Sequence, residues 1–381
     1  MLIAITHGTI DAYASFLPPL LPRIMGKLGL SIALAATLAT VLSIATSILQ
    51  PAAGYLADRY GRRFLLAAGP VLTGVFMSLI GIAPSFTILL VFLVLGGLGS
   101  AGFHPPGVSL ATRAEEGRGS GVRLSVFSFG GAAGFALGPL VAVLLVGWAG
   151  LEGLWIAMIP GVVLGVVLWL ALDGQPRRKM TRPPPSPRDV LSLLRGPLGL
   201  VLVISAVGAF AQRTVLTFVP IIAARAGASE TVGAVVLSVY LASQALGTLT
   251  SGFLTDRLDR RLILVVATAL AVPAHVVAIV APPAHAVAFT ATVAAGFLNM
   301  ALLPPIVVMA QEMVPHGTGA SAGIVMGLAW ALGSLAIPLT GLLADAFGPV
   351  PVAAWSMPAL LIGTAAALHP ALRPFRTARD A

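Results

Sequence analysis

Long apolar runs alternate along the chain with short polar or charged breaks. The runs fall at about 2–22, 32–57, 64–83, 86–112, 120–149, 152–172, 197–223, 231–255, 261–281, 284–312, 318–346 and 350–369, and each is long enough to cross roughly 30 Å of bilayer hydrocarbon. A backbone in lipid has no water to bond, so a spanning segment must satisfy its own N–H and C=O groups. Runs of this length exceed barrel strands, and the pattern therefore predicts transmembrane helices, twelve in all. The break over 173–195 differs from the others: it holds Arg177, Arg178, Lys179 and Arg182 together with Pro183, Pro184, Pro185 and Pro187. Proline there blocks helix and keeps the chain extended. It is expected to be a cytoplasmic Pro/Arg-rich linker between an N-terminal six-helix bundle, 1–172, and a C-terminal six-helix bundle, 196–381.

Two other breaks are related to one another. Gly54-Tyr55-Leu56-Ala57-Asp58-Arg59-Tyr60-Gly61-Arg62-Arg63 is echoed 198 positions later by Gly252-Phe253-Leu254-Thr255-Asp256-Arg257-Leu258-Asp259-Arg260-Arg261. Away from the breaks, Phe16 matches Phe218 at an offset of 202, and Pro105-Pro106 match Pro304-Pro305 at 199, as Pro139 matches Pro338. Near-constant offsets indicate a duplicated unit. An even number of spans per copy keeps both copies in the same orientation, as parallel repeats about an axis normal to the membrane. The expected fold is thus an all-α integral membrane protein with twelve transmembrane helices in two pseudo-symmetric six-helix bundles.

Composition agrees: 58% of the 381 residues are hydrophobic and 9% charged, with a mean hydropathy of +1.00, more apolar surface than a dissolved domain can carry. The chain has no Cys, which excludes disulfides and thiolate-held metals. Its six His show neither HExxH nor close pairing, so no metal and no cofactor is expected. The net charge of +9 suggests nucleic acid until its placement is considered. If the loops alternate sides, one face holds 18 of the 22 Lys and Arg and the opposite loops only Arg23, Lys27 and Arg225. That asymmetry is expected to place both termini in the cytoplasm, with the lipid bilayer and no nucleic acid as partner.

Chemistry is sparse in the spans, which makes each polar residue informative. Asp11 is the only carboxylate deep inside a predicted run, where a charge costs ~2.5–3.5 kcal/mol on insertion scales. His7 lies four residues earlier on the same helical face, and Arg213 occupies the equivalent place in the other half. A functional Asp11 titrates during transport; a structural one only ties the halves together through Arg213. His104, in Gly102-Phe103-His104-Pro105-Pro106, either carries protons or bonds a carbonyl freed by a missing proline amide. Gln50, Gln212, Gln244 and Asn299 supply interhelical hydrogen bonds or substrate contacts, and Tyr13 and Phe16 either line a cavity or pack between helices. His275 has no evident partner and is expected to be structural. Gly134, Gly138 and Pro139 permit close helix contact and a bend. In the two related breaks, Gly54 and Gly252 allow a neighbouring helix to approach, while Asp58, Arg59, Gly61, Arg62, Arg63, Asp256 and Arg257 form charged latches of a cytoplasmic gate.

Residues 54–63 resemble the loop between helices two and three of the major facilitator superfamily, G-x-L-a-D-r-x-G-r-[RK], with Asp259 in the second copy departing from the glycine at Gly61. Gly134-x-x-x-Gly138-Pro139 resembles the fifth-helix motif of that superfamily's drug–proton antiporters, although the fourth-helix Arg of the group is replaced near Leu93 by an apolar residue. His7-x-x-x-Asp11, Phe16-Leu17-Pro18-Pro19-Leu20-Leu21-Pro22, Leu49-Gln50-Pro51-x-x-Gly54 and Gly99-Ser100-Ala101-Gly102-Phe103-His104-Pro105 are similar to the fosmidomycin-resistance branch. The resemblance implies a secondary active transporter, working as a monomer on a small organic or drug-like molecule and protons, by alternating access and proton-coupled efflux. Uptake by symport or facilitated diffusion is the rival within transport, and a non-transporting membrane sensor the rival outside it. No Ser/His, paired-Asp or metal constellation suggests an enzyme.

Overall fold

The computed structural model describes residues 1–48, 50, 53, 62–111, 120–172, 193–313 and 327–375, and among them all regular structure is helical. Ten helices there are long and apolar enough to cross a membrane. The two remaining runs, the first and second, appear as shorter pieces. The chain divides into two compact units, one of residues 1–30 and 38–183, the other of residues 31–37 and 184–381.

In the first unit the opening run is not one helix. It breaks into α1 (Leu2–Ala14) and α2 (Leu17–Leu28). Pro18 and Pro19 have no N–H to give to the residues before them, and the last turn of α1 tightens, with the Ser15 N–H reaching both Asp11 and Ala12 carbonyls and the Phe16 N–H the Tyr13 carbonyl. Gly29, at φ 62°, then closes α2 in the left-handed conformation that glycine adopts without strain. α3 (Ile32–Ser47), α4 (Arg62–Ser78), α5 (Phe86–Ala111), α6 (Ser120–Ala149) and α7 (Met158–Ala171) follow. Ile10, Leu66, Phe103, Phe127 and Leu168 from five of these helices meet in one buried core. Residues such as Trp148, Leu144 and Leu170 lie exposed, as expected of side chains facing acyl chains rather than water.

Helices α1 and α6 approach each other closely. A Cβ on Gly134 would run into the Gly8 carbonyl, so only glycine permits this contact. Gly138 lies one turn on, against Ala12 and Ser15, and Pro139 is buried beside it.

The second unit holds α8 (Pro197–Arg225), α9 (Glu230–Thr255), α10 (Arg260–Val280), α11 (Ala286–Met300), α12 (Leu303–Met313), α13 (Ala329–Leu335), α14 (Ile337–Phe347), α15 (Pro349–Ser356) and α16 (Leu360–Leu368). Proline interrupts three predicted runs: at Pro304-Pro305 in the tenth, Pro338 in the eleventh and Pro358 in the twelfth. Leu198, Val201, Leu264, Ile306 and Leu372 belong to its core. The first residues of α3 group with this unit, where the Asp345 carboxylate on α14 accepts from the Ile32 and Ala33 N–H groups at 2.8 and 3.0 Å. An anionic acceptor at a helix start satisfies two orphan donors and complements the dipole.

Candidate functional site

Asp11 sits on the face of α1 that also carries His7 one turn earlier, and α5 brings His104 to the same carboxylate. His7 Nε2 lies 3.2 Å from Asp11 Oδ2, and His104 Nε2 lies 3.1 Å from Asp11 Oδ1. The site is largely sheltered, with side-chain exposures of 10% for His7, 19% for Asp11 and 23% for His104. Phe127 stacks on the His7 ring at a centroid distance of 4.0 Å, and the two imidazoles meet edge to face at 5.0 Å. Gly131 makes room on α6: a Cβ there would collide with the His7 ring and the Asp11 carboxylate.

The second nitrogen of each ring fixes the chemistry. His7 Nδ1 is 2.8 Å from the Phe127 carbonyl, and His104 Nδ1 is 2.7 Å from the Ser100 carbonyl. A carbonyl only accepts, so each Nδ1 carries the hydrogen. In a neutral imidazole the facing Nε2 is then a lone pair, directed at a carboxylate oxygen that also only accepts. Each Nε2–Oδ contact becomes a hydrogen bond only when a proton is placed in it, on the imidazole or on the carboxyl. The trio thus has places for two added protons.

The alternative role for His104, bonding a carbonyl freed by proline, does not match the geometry. Pro105 and Pro106 leave the Ala101 and Gly102 carbonyls without their usual helical donors, whereas His104 bonds Ser100, whose helical donor is His104's own amide. Of the two roles open to Tyr13 and Phe16, packing is the one seen in this structure. They are 3% and 1% exposed, and the Tyr13 hydroxyl donates to the Ala157 carbonyl at 2.6 Å and accepts from the Gly161 N–H at 3.0 Å, tying α1 to the start of α7. His275 needs correction: the Tyr240 hydroxyl lies 3.0 Å from its Nε2, and its Nδ1 donates to the Ala271 carbonyl at 2.7 Å. Both nitrogens are committed in a buried network, so a structural place stands but partnerless does not. Gln50 donates to the Thr46 carbonyl.

In the second unit, Asn299 Nδ2 donates to the Gly208 carbonyl at 3.0 Å, Gln244 Nε2 to Asn299 Oδ1 at 3.1 Å, and Gln212 Nε2 to Gln244 Oε1 at 3.0 Å. The backbone acceptor at one end sets the direction of the whole chain. A small cleft is lined by Ser205, Gly208, Gln212, Asn299 and Trp330, among others. The Arg213 guanidinium lies 5.9 Å from the centroid of the Trp330 ring, at the edge of cation–π range.

Of the first charged break, Gly54, Asp58, Arg59 and Gly61 lie outside the described residues. Arg62 opens α4, and Arg63 donates to the Trp169 carbonyl at 2.8 Å with its guanidinium 4.0 Å over the Trp169 ring. In the second break the contacts described are made by Asp259, Arg260 and Arg261. No described residue lies within 4 Å of where a Cβ on Gly252 would sit. Asp256 and Arg257 are exposed. Asp259, by contrast, caps α10 by accepting from the Arg261 N–H. Arg260 is buried, with Nη1 2.7 and 2.8 Å from the two Glu312 oxygens, and Arg261 donates to the Ala367 and Leu368 carbonyls. Glu312 had been missed, and its one signal was a lone carboxylate at the end of the tenth run.

Among known proteins, the chain is 27% identical over 370 residues to the uncharacterised MFS-type transporter YfnC of Bacillus subtilis (strain 168), covering 92% of this chain and 87% of that one. It is equally 27% identical over 354 residues to the fosmidomycin resistance protein of Escherichia coli (strain K12), covering 90% and 85%. A bacterial homologue of the human lysosomal transporter Spinster, crystallised inward-facing and occupied, superimposes with a TM-score of 0.84 at 19% identity over 100% of this chain and 97% of that one, which shows a shared fold. The model of the Major Facilitator Superfamily matches residues 3–338, and the chain belongs to that family of transporters.

Proposed function

We propose that this transporter is a proton-coupled exporter of a small organic, drug-like molecule, working by alternating access, with Asp11, His7 and His104 as the proton-carrying group. The observation that carries the reading is the opposition of two lone-pair nitrogens to one carboxylate at 3.1 and 3.2 Å. Such a cluster holds protons when loaded and repels itself when empty, which is the property a coupling site needs. The E. coli relative named for fosmidomycin resistance supports export. The charge asymmetry of the loops supports an inner-membrane location with both termini cytoplasmic, and the duplicated breaks support latches closing that side in one state of the cycle. Bundles over 1–172 and 196–381, joined by the Pro/Arg-rich segment 173–195, complete this reading, with a monomer as the working unit.

The test is a susceptibility panel that includes fosmidomycin, in an efflux-deficient bacterial host, comparing wild type with Asp11→Asn. Wild type is expected to raise tolerance to at least one compound, and a protonophore or Asp11→Asn to abolish the gain at equal membrane expression. Undiminished proton-driven transport by Asp11→Asn in proteoliposomes overturns the coupling role. The direction is read in the same vesicles, since an antiporter given its cargo releases protons on the side from which the cargo is taken up, whereas a symporter consumes them there.

A further inference from the structure

Two imidazole lone pairs turned on one carboxylate can hold an ion as well as protons. Along the chain the histidines are too far apart to suggest a metal, but the fold brings His104 on α5 to the carboxylate that His7 already faces. One donor atom from each of His7, Asp11 and His104 lies within 4.8 Å of the other two. Ligands placed tetrahedrally at about 2.0–2.1 Å from an ion stand about 3.3 Å apart, and the two Nε2–Oδ separations are 3.1 and 3.2 Å. Both rings are held through Nδ1 on a backbone carbonyl. Such outer partners fix the tautomer of a metal-bound imidazole, aim its free nitrogen and make it a better ligand. His275 supplies the contrast: its Nε2 faces the Tyr240 hydroxyl, a donor, so its lone pair is already used. His7 is more than nine-tenths buried, and its Nε2 has only an acceptor before it.

We propose that His7, Asp11 and His104 form a binding site for a divalent transition-metal ion of the Zn²⁺ type, with a fourth position open to water or an anionic ligand. Two imidazoles and one carboxylate suit Zn²⁺, Co²⁺ and Ni²⁺, and offer too few oxygens for Mg²⁺ or Ca²⁺. Charge favours the same ions. With both imidazoles neutral the trio carries a single negative charge; two added protons make it singly positive, and so does one divalent ion. The ion therefore takes the place of both protons without adding charge inside the span. Ligation breaks whichever Nε2–H or carboxyl O–H bonds are present and passes those protons to solvent, and no electron moves. The metal site stands independently of the export reading and adds one consequence to it: a bound ion occupies the positions the coupling protons need.

The full-length protein, purified without a histidine tag, is titrated in detergent with Co²⁺ and Zn²⁺. Co²⁺ is read by its visible absorption, strong when four-coordinate and weak when six-coordinate, and Zn²⁺ by its displacement of Co²⁺ and by the rise in melting temperature. One ion per chain with the four-coordinate spectrum is expected. His7→Gln and His104→Gln each weaken binding at least about tenfold, whereas His285→Gln and His369→Gln, at exposed positions, leave it unchanged. Asp11→Cys supplies a gain that misfolding does not imitate. The chain has no cysteine, so the bound Co²⁺ acquires a near-ultraviolet charge-transfer band from the thiolate it creates. Failure to bind one ion per chain, a six-coordinate spectrum, binding that survives His7→Gln/His104→Gln, or Asp11→Cys without the band overturns the proposal. In proteoliposomes, with a compound to which the protein confers tolerance, Zn²⁺ is expected to slow proton-driven transport. Ion binding with no effect on that transport defeats the coupling reading alone, and proton-driven transport by a chain that binds no ion defeats the metal site alone.

Discussion

Tyr13 and Asp11 sit two residues apart on α1 and separate two kinds of importance. Tyr13→Phe leaves the Ala157 carbonyl and the Gly161 N–H without their bridge and is expected to cost about 1–3 kcal/mol of stability, read as a lower melting temperature in detergent, with proton-driven transport retained. Asp11→Asn is expected to do the reverse. Gly131→Ala tests the space rather than the chemistry: its methyl would strike the His7 ring and Asp11, so transport is expected to fall sharply while the carboxylate remains. Asp11 and His7 were legible from sequence because a carboxylate in lipid is costly and a spacing of four shares a helical face. The Phe127 and Ser100 carbonyls that fix both tautomers were not, since a backbone acceptor has no residue identity to read. The role of Tyr13 stayed open in the sequence for a related reason: an aromatic facing a cavity and one wedged between helices have the same composition.

At the scale of elements, run length alone gave the number of spans, because hydrocarbon thickness sets it. The breaks inside runs were less legible. Pro105 and Pro106 sit inside an unbroken α5, whereas Pro18 and Pro19 lie in the first turn of α2, just after the chain has left α1, and only packing decides between these outcomes. The second charged break was seen as a latch, but its anchoring residue, Arg260, needed Glu312, a partner 52 residues away. Arg260→Ala strands that carboxylate and is expected to cost about 3 kcal/mol, measured by thermal unfolding, with Arg260→Ala/Glu312→Ala less damaged than the sum of the single changes. Asp345→Ala removes the acceptor at the start of α3 and is expected to cost about 1 kcal/mol in the same assay.

For the whole molecule, the absence of native Cys makes orientation directly measurable. Arg178→Cys in the linker is expected to react with a membrane-impermeant maleimide only from the cytoplasmic side, and Ala228→Cys, between α8 and α9, only from outside. The opposite pattern would invert the topology read from the arginines. The pinned imidazoles have a larger consequence. His7 on α1 is fastened to α6, His104 is fastened to its own helix α5, and both close on one carboxylate. Each ring is held through its Nδ1, so in the exporter reading proposed above the proton group is expected to stay in place rather than swing. On that reading access would alternate around a fixed group, and exchange of its protons would be governed by which side of the membrane water reaches it from.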